Sequence, residues 1–397
     1  MKRNQRENTE NFLIQLIQRK GADQGHTRPV RLLLWVLKLL SRLYRVIVQF
    51  RLWGYNKGLL RHHTLGCQVI SVGNLTVGGT GKTPVVEIFA RELQLAGRRV
   101  AILSRGYKKS QPPLLTRFSN ALTFHERRCP PRVVSDGVAL LLDSAMSGDE
   151  PYMLASNLPD VAVLVDKDRV KSGRYAINKL GCDTLILDDG FQYLSLKPRV
   201  QIVLVDKTNP FGNEHVLPRG ILREPVKNIK RADFIFITKS DGNGTQALKE
   251  QLRSLNPKAE IIECRHCPRH LQHVTTKERQ PLDYLKGKRV TALSGIAAPG
   301  GFESSLESFG AEIIERHRFA DHHRYSQQEL IDIINAARRE QVDAIITTEK
   351  DAVRFPNIGR YDVPVYFLRV DIDILEGAED FKASIAHICF RPVEGAA

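Results

Sequence analysis

Apolar positions recur along this chain in two rhythms. Short runs rich in Val, Ile and Leu (Val69–Val72, Arg99–Leu103, Val161–Val165, Thr184–Leu187, Val200–Val205 and Phe234–Thr238) predict strands. They are nearly continuous in apolar character, and stretches of helical spacing separate them. That alternation predicts an α/β fold with a parallel sheet covered on both faces. A further apolar strand, Ala311–Ile314, is expected in the second half.

One stretch follows neither rhythm. Residues 32–50 read LLLWVLKLLSRLYRVIVQF, close to the length of a bilayer core but with Lys38, Arg42 and Arg45 inside it. Each such charge costs roughly 2.5–3.5 kcal/mol at a membrane centre, and each aliphatic or Phe residue returns about 0.3–0.6, so spanning is not favoured. Arg31, Lys38, Arg42, Arg45 and Gln49 fall on one stripe of a helix, and Trp35, Tyr44, Phe50 and the aliphatics fill the other faces. The pattern predicts an amphipathic helix lying in an anionic membrane interface; the competing reading is a helix packed on its own domain. The apolar run starts late, is interrupted by charge and lacks a small-residue cleavage site, so a signal peptide is not expected. Residues 1–28 read as a polar extension.

Composition changes the picture in one respect. With 397 residues, 42% hydrophobic and 26% charged, the chain has room for two or three domains and is neither disordered, collagen-like nor a polytopic membrane protein. The net charge of +15 points to an anionic partner. It is unevenly placed: residues 1–66 hold 13 Lys/Arg against Glu7, Glu10 and Asp23, which is +10 and leaves +5 for the remainder. No aromatic–basic RNA motif or helix-turn-helix accompanies the charge, so nucleic acid is not the expected partner. Six scattered cysteines suggest a reducing compartment. Cys264, Cys267, His270 and His273 raise the question of zinc, but the spacing is too tight for a common finger, and a loop after a strand is the expectation.

The candidate chemistry begins at Val69–Val72, after which Gly78-Gly79-Thr80-Gly81-Lys82-Thr83 leads into a helix with Pro84 in its first turn. Strand, Gly-rich loop, Gly-Lys-Thr, helix is the phosphate-binding P-loop. Backbone N–H groups around Thr76 to Thr83 would cradle phosphates, Lys82 would reach the β/γ-phosphates and Thr83 would hold Mg²⁺. Thr76 stands where the strict pattern has Gly, so the loop fits the xGGxGKT variant found in MinD-like ATPases; a membrane-bound regulatory ATPase is therefore the alternative, opposed by Val77 where that branch often carries a signature Lys. Asp188 and Asp189 end an apolar strand in Walker-B fashion, suited to Mg²⁺. Thr238-Lys-Ser-Asp241 has the form of a guanine-reading element, or of a simple strand-to-helix turn. Two further constellations carry acid–base groups: Gly148-Asp149-Glu150-Pro151, read as a loop whose exit the proline locks, and Asp321-His322-His323. A hydroxyl acceptor needs a carboxylate or imidazole to take its proton, and Asp149 with a histidine would serve.

Taken together the residues resemble the tetraacyldisaccharide 4′-kinase family of lipid A biosynthesis. The resemblance rests on Ile70–Pro84 with its Gly-Gly-Thr-Gly-Lys-Thr-Pro, Leu103–Tyr107, Gly148–Pro151, Asp188-Asp-Gly-Phe-Gln192, Leu222-Arg-Glu-Pro225, Ser294–Ala297, Phe319–Tyr325 and Thr348–Arg354. It covers about residues 35–370. It implies a P-loop-type α/β/α sandwich, a second, smaller α/β/α domain and a two-stranded linker, with an N-terminal amphipathic membrane helix. The expected boundaries are extension 1–28, helical segment 29–66, P-loop kinase domain 67–255, linker 256–285 and C-terminal domain 286–390. It implies transfer of the ATP γ-phosphate to the 4′-hydroxyl of a disaccharide 1-phosphate lipid at the cytoplasmic face of a bacterial inner membrane, without an obligate protein partner. By the family's motifs Lys82 and Thr83 serve ATP and Mg²⁺. Asp149 is the base, helped by His322 in preference to His323. Asp188, Asp189 and Glu224 are metal candidates, and Arg105, Arg169 and Gln192 are substrate or phosphate contacts.

Overall fold

In a computed structural model of the chain, residues 27–106, 129–356, 359 and 362–390 are described. They run α1 (Arg28–Asn56), β1 (Gln68–Asn74), α2 (Lys82–Leu95), β2 (Val100–Ser104), β3 (Arg132–Asp136), α3 (Ser144–Ser147), α4 (Asp149–Asn157), β4 (Ala162–Val165), α5 (Arg169–Leu180), β5 (Thr184–Asp188), β6 (Val200–Asp206), β7 (Phe234–Thr238), α6 (Gln246–Leu255), β8 (Glu260–His273), β9 (Arg279–Gln280), β10 (Arg289–Ser294), α7 (Pro299–Ser308), β11 (Glu312–Arg318), α8 (Gln327–Arg339), β12 (Ala344–Thr348), α9 (Glu349–Ala352), β13 (Val365–Glu376) and α10 (Ala378–Phe390). The fold is mixed α/β. Two compact units emerge, one drawn from Met1–Leu103, Asp168–Arg265 and Ile374–Ala397, the other from Ser104–Lys167 and His266–Asp373. Residues 1–26 and 107–128, Tyr107 among them, lie outside the described residues.

The first unit is a parallel sheet in the order β8–β7–β6–β1–β5–β2. Strands β1, β2 and β5 are buried at every position, which is why their sequences lack alternation. Helix α2 buries Val85, Val86, Phe89 and Leu93, and Phe89 meets Phe236 and Phe381 edge-on. Because the strands are parallel, Asn74, Asp188, Asp206 and Thr238 all end at the same edge of the sheet, where such folds bind ligands.

Helix α1 belongs to this unit and divides its faces sharply. Leu34, Ser41 and Leu52 are buried along a narrow seam, with the Ser41 hydroxyl donating to the Val216 carbonyl (2.7 Å) and Gln49 Nε2 donating to Asn228 Oδ1 (3.1 Å). The opposite side exposes Leu32, Trp35, Leu39, Leu43, Val46, Ile47 and Phe50, each more than half open to solvent. Among the described residues no helix is long and apolar enough to cross a membrane.

The second unit places β10 between β11 and β12, with β13 beyond β12, all parallel, and adds an antiparallel β3–β4 pair. Three local expectations change here. Strand β11 runs over Glu312–Arg318, later than its apolar pattern, because its backbone pairs with β10 as far as Arg318; Arg316 and Arg318 pair with Glu303, and an edge strand tolerates such charges. Asp149, Glu150 and Pro151 form no loop but open α4, with two acids in the first turn, where the helix dipole favours them, and proline in a first turn that asks for no N–H donor. Cys264–His273 is likewise strand, not loop, the whole stretch lying in β8. A strand's period of two sends Cys264 and His270 to one face and Cys267 and His273 to the other. Burial pushes the Cys264 thiol up to about 12, and among the described residues no group of three or more His, Cys, Asp or Glu is arranged to hold a metal.

Candidate active site

The phosphate loop of the first unit leaves β1 at Asn74 and enters α2 at Lys82. Gly78 (φ 122°) and Gly81 (φ 76°) have backbone conformations that side chains disfavour. A Cβ at Gly78 or Gly79 would meet nothing within 4 Å, so these glycines serve an open backbone rather than tight packing. The loop is braced from outside. Val77 N–H donates to Ile221 O and Arg223 N–H to Leu75 O (both 2.7 Å), the Thr238 hydroxyl donates to Thr80 O (2.8 Å), and Asn74 Nδ2 donates to Thr80 Oγ1 (3.0 Å). The Thr76 departure is explained here: Thr76 bridges Leu222 and is absent from the positive-φ residues, so no glycine is needed at that position.

Asp188 ends β5 buried, and Asp189 follows in a left-handed conformation (φ 54°). Arg223 Nη1 donates to both Asp189 oxygens at 2.7 Å and approaches Gln192 Oε1 (3.3 Å). Lys82 Nζ lies 3.6 Å from Asp189 and 3.4 Å from Asn74 Oδ1, and Gln192 Nε2 donates to Asn74 O (3.0 Å). Burial pushes the Asp189 carboxyl up, but Lys82 and Arg223 outweigh it and hold the group below the ordinary carboxylate range. Close packing sets this turn on the sheet. A Cβ at Gly73 would lie 2.7 Å from Phe191, and one at Gly190 2.5 Å from Leu187.

Thr83 is buried at the start of α2. Arg169 is buried with its guanidinium 4.9 Å from the Tyr193 ring, and the Tyr193 hydroxyl donates to Asp168 Oδ1 (3.2 Å). Glu224, the remaining metal candidate, already has partners. It is buried, and its Oε2 accepts from Arg231 Nη2 and Asn228 Nδ2, both at 2.7 Å; Arg231 itself stacks 4.0 Å over Phe191. In Thr238–Asp241 the polar groups are likewise engaged: Lys239 with Asp206, Ser240 with Glu263 and Asp241 with Lys207.

The second unit carries the acid–base cluster. Asp149, 9% exposed, accepts at Oδ2 from Arg354 Nε (2.9 Å), lies 3.3 Å from His322 Nδ1 at the same oxygen, and accepts at Oδ1 from Arg324 Nη2 (3.3 Å). Burial raises its pKa, yet His322, Arg354 and Arg324 together hold it below the ordinary value. His322 reaches Asp149 from a left-handed turn (φ 64°). His323 turns elsewhere, to Glu329 (3.2 Å) and to a stacked Phe319 (4.6 Å). Behind the cluster Asp351 is fully buried and saturated. It accepts from Gly295 N–H (3.0 Å), Thr348 Oγ1 (2.6 Å), Tyr325 OH (3.1 Å) and Arg354 Nη1 (3.0 Å). Arg105 is exposed just past β2 in this unit.

The first unit thus gathers Thr76, Gly78, Gly79, Thr80, Gly81, Lys82, Thr83, Asp188, Asp189 and Gln192 around one loop, and the second gathers Asp149 and His322. Asn74, Arg223, Arg324, Asp351 and Arg354 were not singled out from sequence. All but Asn74 and Asp351 are cations beside a candidate acid, and all five fall in stretches that carried the family resemblance without a role attached to them.

The tetraacyldisaccharide-1-P 4′-kinase (LpxK) family model matches residues 33–389. The tetraacyldisaccharide 4′-kinase of Anaeromyxobacter dehalogenans is 41% identical over 337 residues, 84% of each chain. That of Halothermothrix orenii is 36% identical over 401 residues, 96% of this chain and 98% of its own. A crystal structure of LpxK from Aquifex aeolicus in complex with ATP superposes with a TM-score of 0.69 at 31% identity, covering 90% of this chain and 100% of that one. The chain belongs to the tetraacyldisaccharide 4′-kinase family, ATP-dependent kinases of lipid A biosynthesis.

Proposed function

We propose that the chain transfers the γ-phosphate of ATP to the 4′-hydroxyl of a tetraacyldisaccharide 1-phosphate, giving lipid IVA, and that Lys82, Arg223 and Asp149 carry the transfer. The observation that carries this reading is the family match over residues 33–389, on a chain whose phosphate loop and acid–base cluster are both formed. The backbone N–H groups of Gly78–Thr83 bind the phosphates. Lys82, now shared between Asp189 and Asn74, meets the negative charge of the transferring group. Arg223 orients Asp189 through both of its oxygens. Asp149, ionised because its pKa is held low, accepts the hydroxyl proton while the new O–P bond forms and the bond to the β–γ bridging oxygen breaks, releasing ADP. Arg105, Arg169 and Gln192 are the candidate contacts to phosphate or sugar.

The donor set fits Mg²⁺. The buried Thr83 hydroxyl and Asp188, with Asp189 beside them, supply a few hard oxygens, and Mg²⁺ takes one or two carboxylates plus phosphate oxygens rather than an all-protein cage. When bound, Mg²⁺ supplies charge neutralisation. Glu224 acts through its ion pair with Arg231 instead. The exposed apolar face of α1, flanked by Lys38, Arg42 and Arg45, holds the enzyme on the anionic cytoplasmic face of the inner membrane as a peripheral protein.

The test is to incubate the purified chain with γ-labelled ATP and the disaccharide 1-phosphate lipid in detergent. Label is expected on the lipid; ATP hydrolysis without labelled lipid would refute the reading. Asp149→Asn is expected to lower transfer by about 10²-fold or more, the scale of general-base loss, with ATP affinity kept.

A further inference from the structure

Arg354 is the least accessible charge near the proposed base, its side chain showing 0% exposure. It cannot touch a substrate, so whatever it contributes passes through its neighbours. Those neighbours account for four directed contacts: Nε to Asp149 Oδ2 (2.9 Å), Nη1 to Asp351 Oδ1 (3.0 Å) and to Gly295 O (3.2 Å), and Nη2 to His322 Nδ1 (3.2 Å). Asp351 fixes the guanidinium from behind and is itself held by Gly295, Tyr325 and Thr348. A Cβ at Gly295 would come 2.9 Å from Asp351 Oδ1, so the close approach depends on glycine.

The imidazole nitrogen is under opposite demands. Asp149 Oδ2, 3.3 Å away, calls for a proton on Nδ1; Arg354 Nη2, 3.2 Å away, is a donor in every state and calls for a bare Nδ1. A buried N–H left without its acceptor costs about 1–3 kcal/mol. The carboxylate has less to lose, because it already accepts from Arg354 Nε and Arg324 Nη2. The guanidinium therefore wins the contest.

We propose that Arg354 is a positioning residue for phosphoryl transfer: it fixes the Asp149 carboxylate through Nε and, through Nη2, holds His322 in the tautomer whose bare Nδ1 accepts from the guanidinium. This rests on Asp149 being the base. The groups facing the pair are Arg354 from beyond α9, and Arg324, Asp321 and His322 itself from the turn after β11.

The experiment combines kinetics and spectroscopy on the full chain. The acid limb of kcat against pH is measured with ATP and the disaccharide 1-phosphate lipid for wild type, R354Q and R354K. R354Q removes the charge beside Asp149, so its acid limb is expected to move up by about one pH unit or more; R354K keeps the charge, so its limb stays while kcat falls. A uniform loss of kcat with the R354Q limb in place would overturn the proposal. Should R354Q not fold, histidine ¹⁵N NMR of the wild-type protein decides the matter alone. With the resonance assigned by H322Q, a bare Nδ1 at neutral pH is expected, and a protonated Nδ1 overturns the proposal. The parent reading fails separately: D149N with wild-type turnover would remove Asp149 itself, whereas an inactive D149N beside an unshifted R354Q limb would sink only the role of Arg354.

Discussion

The exposed face of α1 offers a test in which packing and membrane binding give opposite answers. Leu39, Leu43, Val46 and Phe50 form one row down its centre, exposed by 52%, 58%, 63% and 68%. Fully burying such a side chain is worth about 1.5–3 kcal/mol, so the half still open would gain about 1 kcal/mol at each position on entering the acyl boundary. Replacing all four by Gln therefore removes about 4 kcal/mol of interfacial binding, close to a thousandfold in partition coefficient. The four positions are surface ones, with Phe50 stacked on Trp53 of the same helix, and surface substitutions each stay within about 0.5 kcal/mol of neutral. The assay is co-sedimentation with vesicles containing anionic lipid, alongside a thermal melt. The expected result is loss of sedimentation with the melting temperature nearly unchanged. A melt lowered by many degrees would show that the row packs on protein, and undiminished sedimentation would place the membrane contact elsewhere.

Other outcomes follow from the same geometry. Lys38, Arg42 and Arg45 changed together to Gln should weaken vesicle binding by about 10²-fold at low salt, since each cation near an anionic surface is worth about 1 kcal/mol, and the difference should shrink at high salt. Gly78→Val forces a β-branched residue to φ 122°, a strain of about 1–3 kcal/mol, and is expected to weaken ATP binding measured by titration and to lower the melt by a few degrees. Glu224→Gln breaks the buried pair with Arg231 and should cost about 3 kcal/mol in urea unfolding without changing the Mg²⁺ concentration that half-saturates activity; a raised Mg²⁺ requirement at full stability would make Glu224 a ligand after all. Asp149 and Asp206 have folded pKa values below their unfolded ones, so each contributes stability that is complete above the unfolded value and is lost as pH falls through the folded one. Urea midpoints should hold steady down to about pH 5 and fall below about pH 4, less steeply in Asp149→Asn.

What could be read from sequence follows the range of the interactions involved. The strands of the first unit were legible because burial on both faces writes a continuous apolar run, and Phe234–Thr238 coincides with its predicted limits. The phosphate loop was legible because glycine and lysine at fixed spacing carry its chemistry locally. Thr76 looked like a defect only because the pairing that explains it, with Leu222, lies far along the chain. Glu224 shows the converse: the resemblance of Leu222–Pro225 makes it a metal candidate, while its pairing with Arg231, seven residues on, is nowhere written in that motif. The acid–base cluster was hardest of all. Asp149 meets Arg354 across a separation of 205 residues and His322 across 173, and neither Arg354 nor Asp351 has any local pattern that marks it. A buried guanidinium is costly unless it is paired and hydrogen-bonded, and the partners of Arg354 are Gly295, Asp351, His322 and Asp149, contributed by four separate motifs. Two of those motifs had an expected role through Asp149 and His322; those of Gly295 and Asp351 had none. What ties them together is the obligation to satisfy a single buried cation, an obligation that three-dimensional structure displays and linear order hides.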